Sequence, residues 1–251
     1  MLTGILGISK SGKDTAAQFL VTDFKLVGMA FADEMKRICK RLYGFTDEQL
    51  WGPSEMRNAP DTRYPREHTW KVIRDEWGDE TGWECACCGS ERPVGKPPSI
   101  AQCHLTPRYA LQRLGGEWGR DCYTNTWVDI TIRDAGKLLN DPSEPAGWFY
   151  RPQLGLLSNH VYNKIPEFVG GVIITDVRHL NEIQAIQQAG GKVIRVIRQE
   201  AGLKGAVGQH QSETEQLSIP DSAFDAVVKN DDTLEALQSN MHDVAKTVLG
   251  L

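Results

Sequence analysis

The run Gly7-Ile-Ser-Lys-Ser-Gly12-Lys13-Asp14-Thr15 lies between a short apolar segment, Leu2 to Ile8, and a stretch of helical periodicity from Lys13 to Asp23, where Ala16, Ala17, Phe19 and Leu20 are apolar. Strand, glycine loop and helix in that order let successive backbone N–H groups turn around a polyphosphate. The helix N-terminus adds positive dipole, and a lysine reaches the terminal phosphates. The run fits G-x-x-x-x-G-K, with Asp14 where Ser or Thr normally follows the lysine. Gly7, Lys10, Ser11, Gly12, Lys13, Asp14 and Thr15 are therefore the candidate nucleotide-phosphate contacts. Mg²⁺ takes oxygen ligands and keeps several waters, so it could be held by Thr15, or by Asp14 directly or through water.

The rest of the chain repeats the strand-then-helix rhythm. Phe24 to Phe31 leads into Ala32 to Tyr43, where Met35, Ile38, Cys39 and Leu42 recur at helical spacing. Gly170 to Asp176 has the continuous apolar character of a strand buried on both faces, and a helix with Leu180, Ile183 and Ile186 inward follows it. Gly190 and Gly191 stop that helix. Val193 to Ile197 and Phe224 to Val228 read as two more strands, and Leu234, Leu237, Met241, Val244 and Val248 form one stripe of a terminal helix. Five short buried strands separated by helices imply a parallel sheet covered on both faces, because parallel neighbours need crossover connections.

The class is α/β: a three-layer fold with a five-stranded parallel sheet flanked by helices, interrupted by a large, mostly helical insertion. A single domain is expected, with its core at 1–45 and 170–251 and a substrate-binding insertion at about 46–169. The insertion includes helix-like stretches at Pro107 to Gly119 and Asn125 to Leu139 and a Cys-rich loop at 78–104. Residues 200–215, rich in glycine, follow the fourth strand and could form a lid over the nucleotide or an ordinary surface loop.

Charge narrows the partners. With 28 Lys+Arg against 33 Asp+Glu, the net charge of −5 has the wrong sign for a surface that grips duplex DNA or an anionic membrane. No stable nucleic-acid or membrane partner is expected. No apolar stretch reaches the roughly 18–20 residues that span a bilayer, and the start has no basic region ahead of its apolar residues, so a soluble, cytoplasmic protein is expected.

Moving a phosphoryl group between two anions needs clustered positive charge more than it needs a base. Asp176 and Arg178 stand at the C-terminal end of the third strand, where ligands of open α/β sheets gather. The insertion supplies Arg108, Arg113 and Arg120; the last two are seven residues apart, about two turns, and are expected on one helix face. Trp118, Tyr123 and Trp127 cluster nearby, and a flat ring beside arginines suits a pocket that stacks a base and clamps its phosphate, although such rings serve as core equally well. Lys13, Asp176, Arg120 and Arg178 are the candidate catalytic groups, and Arg108, Arg113, Trp118, Arg120 and Arg178 the candidate acceptor contacts. Six cysteines in a chain without a secretion signal read as reduced thiols or a metal site. Cys85, Cys88, Cys103 and His104 could form a structural Zn²⁺ site, with His68 able to substitute for the awkwardly adjacent His104. Cys39 and Cys122 read as packing residues.

Several separated segments together resemble the bacteriophage-type deoxynucleoside monophosphate kinases, a branch of the P-loop nucleoside monophosphate kinases. They are the loop Gly7 to Thr15, Phe31-Ala-Asp-Glu-Met-Lys-Arg37, Thr106 to Arg120, Asp176-Val-Arg-His-Leu-Asn-Glu182 and Gly190 to Arg198. The resemblance covers most of the chain apart from Gly78 to His104. It implies ATP and Mg²⁺ as cofactors and phosphoryl transfer to a deoxynucleotide 5′-phosphate to give a diphosphate. It also implies Asp33 as a further acceptor contact, a homodimer, and the host cytoplasm if the chain is phage-encoded. Two other readings stay open: a P-loop kinase of another small phosphorylated acceptor, modified nucleotide or nucleic-acid end, and a non-catalytic nucleotide-gated regulatory module.

Overall fold

Leu2–Leu6, buried at all five positions, forms β1, and a strand with no solvated face has to lie inside a sheet covered on both sides. The computed structural model describes residues 1–95, 102–140, 170–199 and 216–251. After β1 come α1 (Lys13–Asp23), β2 (Leu26–Met29) and α2 (Asp33–Tyr43). Next are α3 (Asp47–Trp51), α4 (Ser54–Asn58), β3 (Asp61–Glu67), β4 (Trp70–Arg74), β5 (Glu80–Cys85), β6 (Glu91–Pro93) and β7 (Gln102–Leu105). Then follow α5 (Pro107–Arg113), a π-helical segment (Leu114–Arg120), α6 (Thr126–Asn140), β8 (Gly171–Val177), α7 (Leu180–Gln188), β9 (Lys192–Ile197), β10 (Ala226–Lys229) and α8 (Leu234–Val244). Met1–Glu34 with Asn125–Leu251 make one compact unit, and Met35–Thr124 make another.

The first unit is built on a five-stranded sheet in the order β10-β9-β1-β8-β2, parallel at every pairing. On one face Ile5, Ile173 and Ile194 meet Ala16, Ala17 and Leu20 of α1 and Leu237 and Met241 of α8 in a single apolar core. On the other, Gly4 lets α7 come close: a Cβ there would stand 2.6 Å from Ile186 Cδ1. Helices on both faces of a parallel sheet give the expected three-layer α/β fold.

Two details of helix facing differ from the periodicity. Leu180 is 44% exposed while Ile183 and Ile186 are fully buried, because Leu180 opens α7 at the sheet's rim. At the end of the chain the buried positions run Leu237, Met241, Ala245 and Leu249, while Leu234 is 58% exposed. α8 passes into a π-helical turn at Ala245–Leu249, and its wider i→i+5 turn carries the apolar face one residue past Val244 and Val248.

The second unit holds helices and more. β3 pairs antiparallel with β7, and β4, β5 and β6 form a separate antiparallel sheet. The segment 78–104, expected as a loop, therefore contains two short strands and most of a third. In β5 Gly82 and Cys85 are buried while Glu80, Thr81 and Glu84 are exposed, a spacing of three that lacks the alternation by which a strand shows in sequence. Phe45 and Leu50 lie with Cys39 and Ala110 in a small core, and Cys85, Cys87, Cys103 and Tyr109 form another. Cys39 is a packing residue as expected, with burial pushing its thiol up to about 11, but Cys122 is exposed. Residues 141–169 of the insertion and the expected lid at 200–215 lie outside the described residues. Among the described residues no helix is long and apolar enough to cross a membrane.

At the start of β3, the Asp61 carboxylate accepts from Arg63 Nη2 at 2.6 Å, from Arg63 Nε at 2.9 Å and from Gln49 Nε2 at 3.2 Å. Arg63, ahead of the opposing cost of burial, holds the Asp61 carboxyl down at about 2, against an ordinary 3.8. A depressed carboxylate contributes stability above its unfolded value and loses it as pH falls through its folded one. Asp61→Asn is expected to lower the urea midpoint at pH 7, with the gap to wild type closing between about pH 4 and pH 2. Unfolding curves across that range check it, and a gap that does not change with pH would contradict the assignment.

Candidate active site

Between β1 and α1 the chain makes a tight loop in which two glycines have no room for a side chain. A Cβ at Gly7 would stand 2.4 Å from Ser11 Oγ and 2.8 Å from the Val196 carbonyl. At Gly12, φ is +88° and a Cβ would stand 2.2 Å from Asn230 Nδ2. Lys10 adopts φ 65°, the left-handed region that a non-glycine residue enters at a cost. The loop is closed by Ser11 N–H donating to the Ile8 carbonyl at 3.1 Å and by Asn230 Nδ2 donating to the Ser11 carbonyl at 2.8 Å. Ser11 Oγ is buried with no hydrogen-bond partner, and Gly12, which precedes α1, offers no side-chain cap. An uncapped helix N-terminus next to an unpaired buried hydroxyl is suited to an anion. Lys13 opens α1, with its Nζ 4.0 Å from the Asp14 carboxylate. Asp14 and Thr15 are exposed on the first turn of α1, so both candidate oxygen ligands remain accessible to a cation.

Asp176 stands one strand away, on β8. Its two carboxylate oxygens accept the backbone N–H groups of Phe31 at 2.8 Å and Ala32 at 3.1 Å. Asp33, 4% exposed, does similar work one turn on, accepting the Ala30 N–H at 2.8 Å. Both acids thus fix the bend between β2 and α2. Arg178 is exposed just beyond β8, and its backbone is pinned by Glu182, which accepts the N–H groups of Arg178 at 2.6 Å and His179 at 3.1 Å. Past the ends of β9 and β10, Ile197, Arg198, Gln199, Lys229 and Asp231 line a hollow of about 310 Å³. Asn230, between two of those residues, is the side chain that holds Ser11.

In the second unit a larger hollow, about 480 Å³, is lined by Cys39, Leu42, Arg66, Tyr109, Arg113 and Trp118 among others. Two guanidiniums converge on one ring there. The Arg66 guanidinium lies 4.2 Å from the Tyr109 ring centre and that of Arg113 at 5.3 Å. Tyr109 Oη accepts from Arg66 Nη2 at 3.3 Å and Arg113 Nε at 3.1 Å. Burial alone would raise the Tyr109 phenol, but hydrogen bonds with Thr69 and the two arginines bring it below its ordinary value. Arg113 also pairs with Glu117 one turn on, while Trp118 is 58% exposed. Positive charge beside an exposed indole can hold an anion attached to a flat ring.

The family model described as deoxynucleotide monophosphate kinase matches residues 154–241. A curated protein of Acanthamoeba polyphaga mimivirus, named "Putative deoxynucleotide monophosphate kinase", is 27% identical over 241 residues, covering 96% of this chain and 94% of that protein. The chain resembles the deoxynucleotide monophosphate kinases. The family match contains Asp176, Arg178 and Asn230, whereas Gly7 to Thr15 and the second-unit hollow lie outside it. The relative found here comes from a giant virus, where the sequence suggested a bacteriophage type.

Of the acceptor candidates, Arg113 and Trp118 line the 480 Å³ hollow. Arg120 ends the π-helical segment, half-buried. The seven-residue spacing from Arg113 to Arg120 does not bring the two onto one face, because the segment between them is wound with i→i+5 turns. Gly115 sits inside that segment against Met35, whose Sδ would be 2.7 Å from an added Cβ. Arg108 is turned to α4, donating to Ser54 Oγ at 2.6 Å and to Asn58 Oδ1. Trp127 is 5% exposed and belongs to the core; Tyr123 is 55% exposed. Arg66, Tyr109 and Asn230 are the residues the sequence reading missed. Arg66 and Tyr109 come from distant segments joined only by the β3–β7 pairing and α5. An asparagine directly after the last strand was the one available hint of Asn230.

The metal candidates regroup. Cys85, Cys88 and Cys103 come together with His68, while His104 stays apart. Successive residues on a strand point to opposite faces, so on β7 Cys103 and His104 cannot both turn toward one ion.

Gly12→Ala forces a Cβ onto Asn230 at a left-handed position, a cost of order 1–2 kcal/mol. It is expected to weaken nucleoside triphosphate binding at least tenfold by titration calorimetry, with far-ultraviolet circular dichroism unchanged. Unaltered affinity would show that the loop does not contact the phosphates.

Proposed function

We propose that the chain transfers the terminal phosphoryl group of ATP to the 5′-phosphate of a deoxynucleoside monophosphate, giving a diphosphate. The observation that carries this reading is the β1–α1 loop, whose two glycines admit no side chain and whose helix has no cap, in a chain resembling deoxynucleotide monophosphate kinases.

The loop's backbone N–H groups and Lys13 would receive the triphosphate oxygens, as helix N-termini and lysines do at such loops. Mg²⁺ would supply neutralisation of the phosphates' negative charge, and Thr15 or Asp14 would hold it. Asp176 and Asp33 act by position: their carboxylates fix the backbone from Ala30 to Asp33. Arg178, exposed at the end of β8, is the remaining candidate phosphate contact on this unit, and Arg120 is one on the second unit. The hollow beside Asn230 is the place on this unit for the base of the triphosphate.

The acceptor belongs to the second-unit hollow, where Arg66 and Arg113 would meet its phosphate and Trp118 its base. No strong general base is required, because a phosphate monoester is already mostly dianionic near neutral pH. Arg108, tied to Ser54 and Asn58, supports the walls of that unit.

Incubation with Mg·ATP and a panel of deoxynucleoside and ribonucleoside monophosphates is expected to yield diphosphate from a subset of the deoxynucleotides. Lys13→Ala should lower kcat by about 10²- to 10³-fold. Absence of diphosphate from every member, with ATP still bound, would overturn the proposal. Arg66→Ala is expected to raise KM for the monophosphate about tenfold or more, the scale of a lost charge-assisted hydrogen bond, and to leave KM for ATP within about twofold. Equal effects on both constants would remove Arg66 from the acceptor site.

A further inference from the structure

We propose that His68, Cys85, Cys88 and Cys103 form a structural zinc site that fastens the two small sheets of the second unit together. The four ligand atoms all lie within 4.8 Å of one another. A tetrahedral ion with metal–sulfur bonds of about 2.3 Å spaces its sulfurs about 3.8 Å apart, with sulfur–nitrogen edges slightly shorter. Cys85 Sγ and Cys103 Sγ are 3.9 Å apart, and Cys88 Sγ is 3.7 Å from His68 Nδ1. Those are the edges of such a tetrahedron.

The chain around the cluster is shaped for that role. Cys85 and Cys88 are a C-x-x-C pair on the turn from β5 to β6, closed by Gly89 N–H to the Cys85 carbonyl at 2.9 Å and Cys85 N–H to the Ser90 carbonyl at 2.8 Å. Gly89 takes φ 71°, which a side chain would oppose. Cys87, within the same turn, places its own sulfur against the His104 carbonyl at 3.2 Å and lies outside the group of four, whose third sulfur is that of Cys103. The His68 ring is steadied by stacking on Trp70, with centres 4.7 Å apart.

The ligands also come from the right places. His68 lies between β3 and β4, Cys85 ends β5, Cys88 follows it and Cys103 is on β7, so both sheets contribute. A two-stranded and a three-stranded sheet this short cannot bury enough apolar surface to hold together alone. The fully buried part of the core there consists of Cys85, Cys87, Cys103 and Tyr109, with Trp70, Ala86 and Leu105 packed against it partly exposed, so three of its four buried side chains end in sulfur. A coordinated ion supplies the missing cross-link.

Full-length protein, purified with a reductant, freed of loosely held metal and reconstituted with Zn²⁺, is expected to retain one zinc per chain by plasma mass spectrometry. Substitution with Co²⁺ should give the visible bands of a tetrahedral site and a near-ultraviolet sulfur-to-metal band from three thiolates. In Cys103→Ser that sulfur-to-metal band should fall by about one third. His68→Ala should weaken zinc binding more than tenfold, whereas His104→Ala and Cys87→Ser should leave the stoichiometry near one. Because a ligand variant can fail to fold, the Co²⁺ spectrum of the unaltered chain decides independently. Retention of less than about one zinc in ten chains, iron in its place, an octahedral Co²⁺ spectrum, or a Cys85–Cys103 disulfide persisting under reductant would each overturn the site.

Discussion

The loop after β1 keeps its shape because hydrogen alone fits at positions 7 and 12. Gly7 is pressed between Ser11 and the carbonyl of β9's Val196, and Gly12 lies under the Asn230 side chain. Asn230 comes from the far end of the chain, just beyond β10, and donates to the loop's own carbonyl. The loop's geometry is therefore a property of the whole sheet: β1, β9 and β10 must be in register before the loop can close. The order β10-β9-β1 places those three strands side by side, so a strand from late in the chain completes the first.

Three acidic residues use their carboxylates on the backbone. Asp176 and Asp33 use their oxygens on three backbone N–H groups between Ala30 and Ala32, and Glu182 uses one oxygen on two more beyond β8. These are connections between strands and helices, where backbone donors have no ladder partner and would otherwise be left unsatisfied.

The sheet, its helices and the loop could be read from the sequence because each rests on a local signal: runs such as Val172 to Ile174, or glycines at fixed spacing. What escaped were features set by winding and by distant pairing. Arg113 and Arg120 look like neighbours on an α-helix, but Gly115, Gly116 and Gly119 lie in a π-helical stretch that places them differently. Arg66 meets Tyr109 across 43 residues of sequence, a contact created by β3–β7 pairing in a segment whose short strands carry too little apolar pattern to announce themselves. His68 was separable from His104 only once β7 was known to be a strand, since alternation decides which of two adjacent ligands turns inward. The expected lid at 200–215 lies outside the described residues.

β2 and β8 are neighbours in the sheet, although more than a hundred residues separate them in sequence. The chain leaves the sheet at the end of one strand and re-enters it at the start of the strand alongside. The stretch between carries its own strand pairings and takes no part in those of the five-stranded sheet. A fold connected in this way can change one continuous stretch of chain while the five strands of its parallel sheet stay in register.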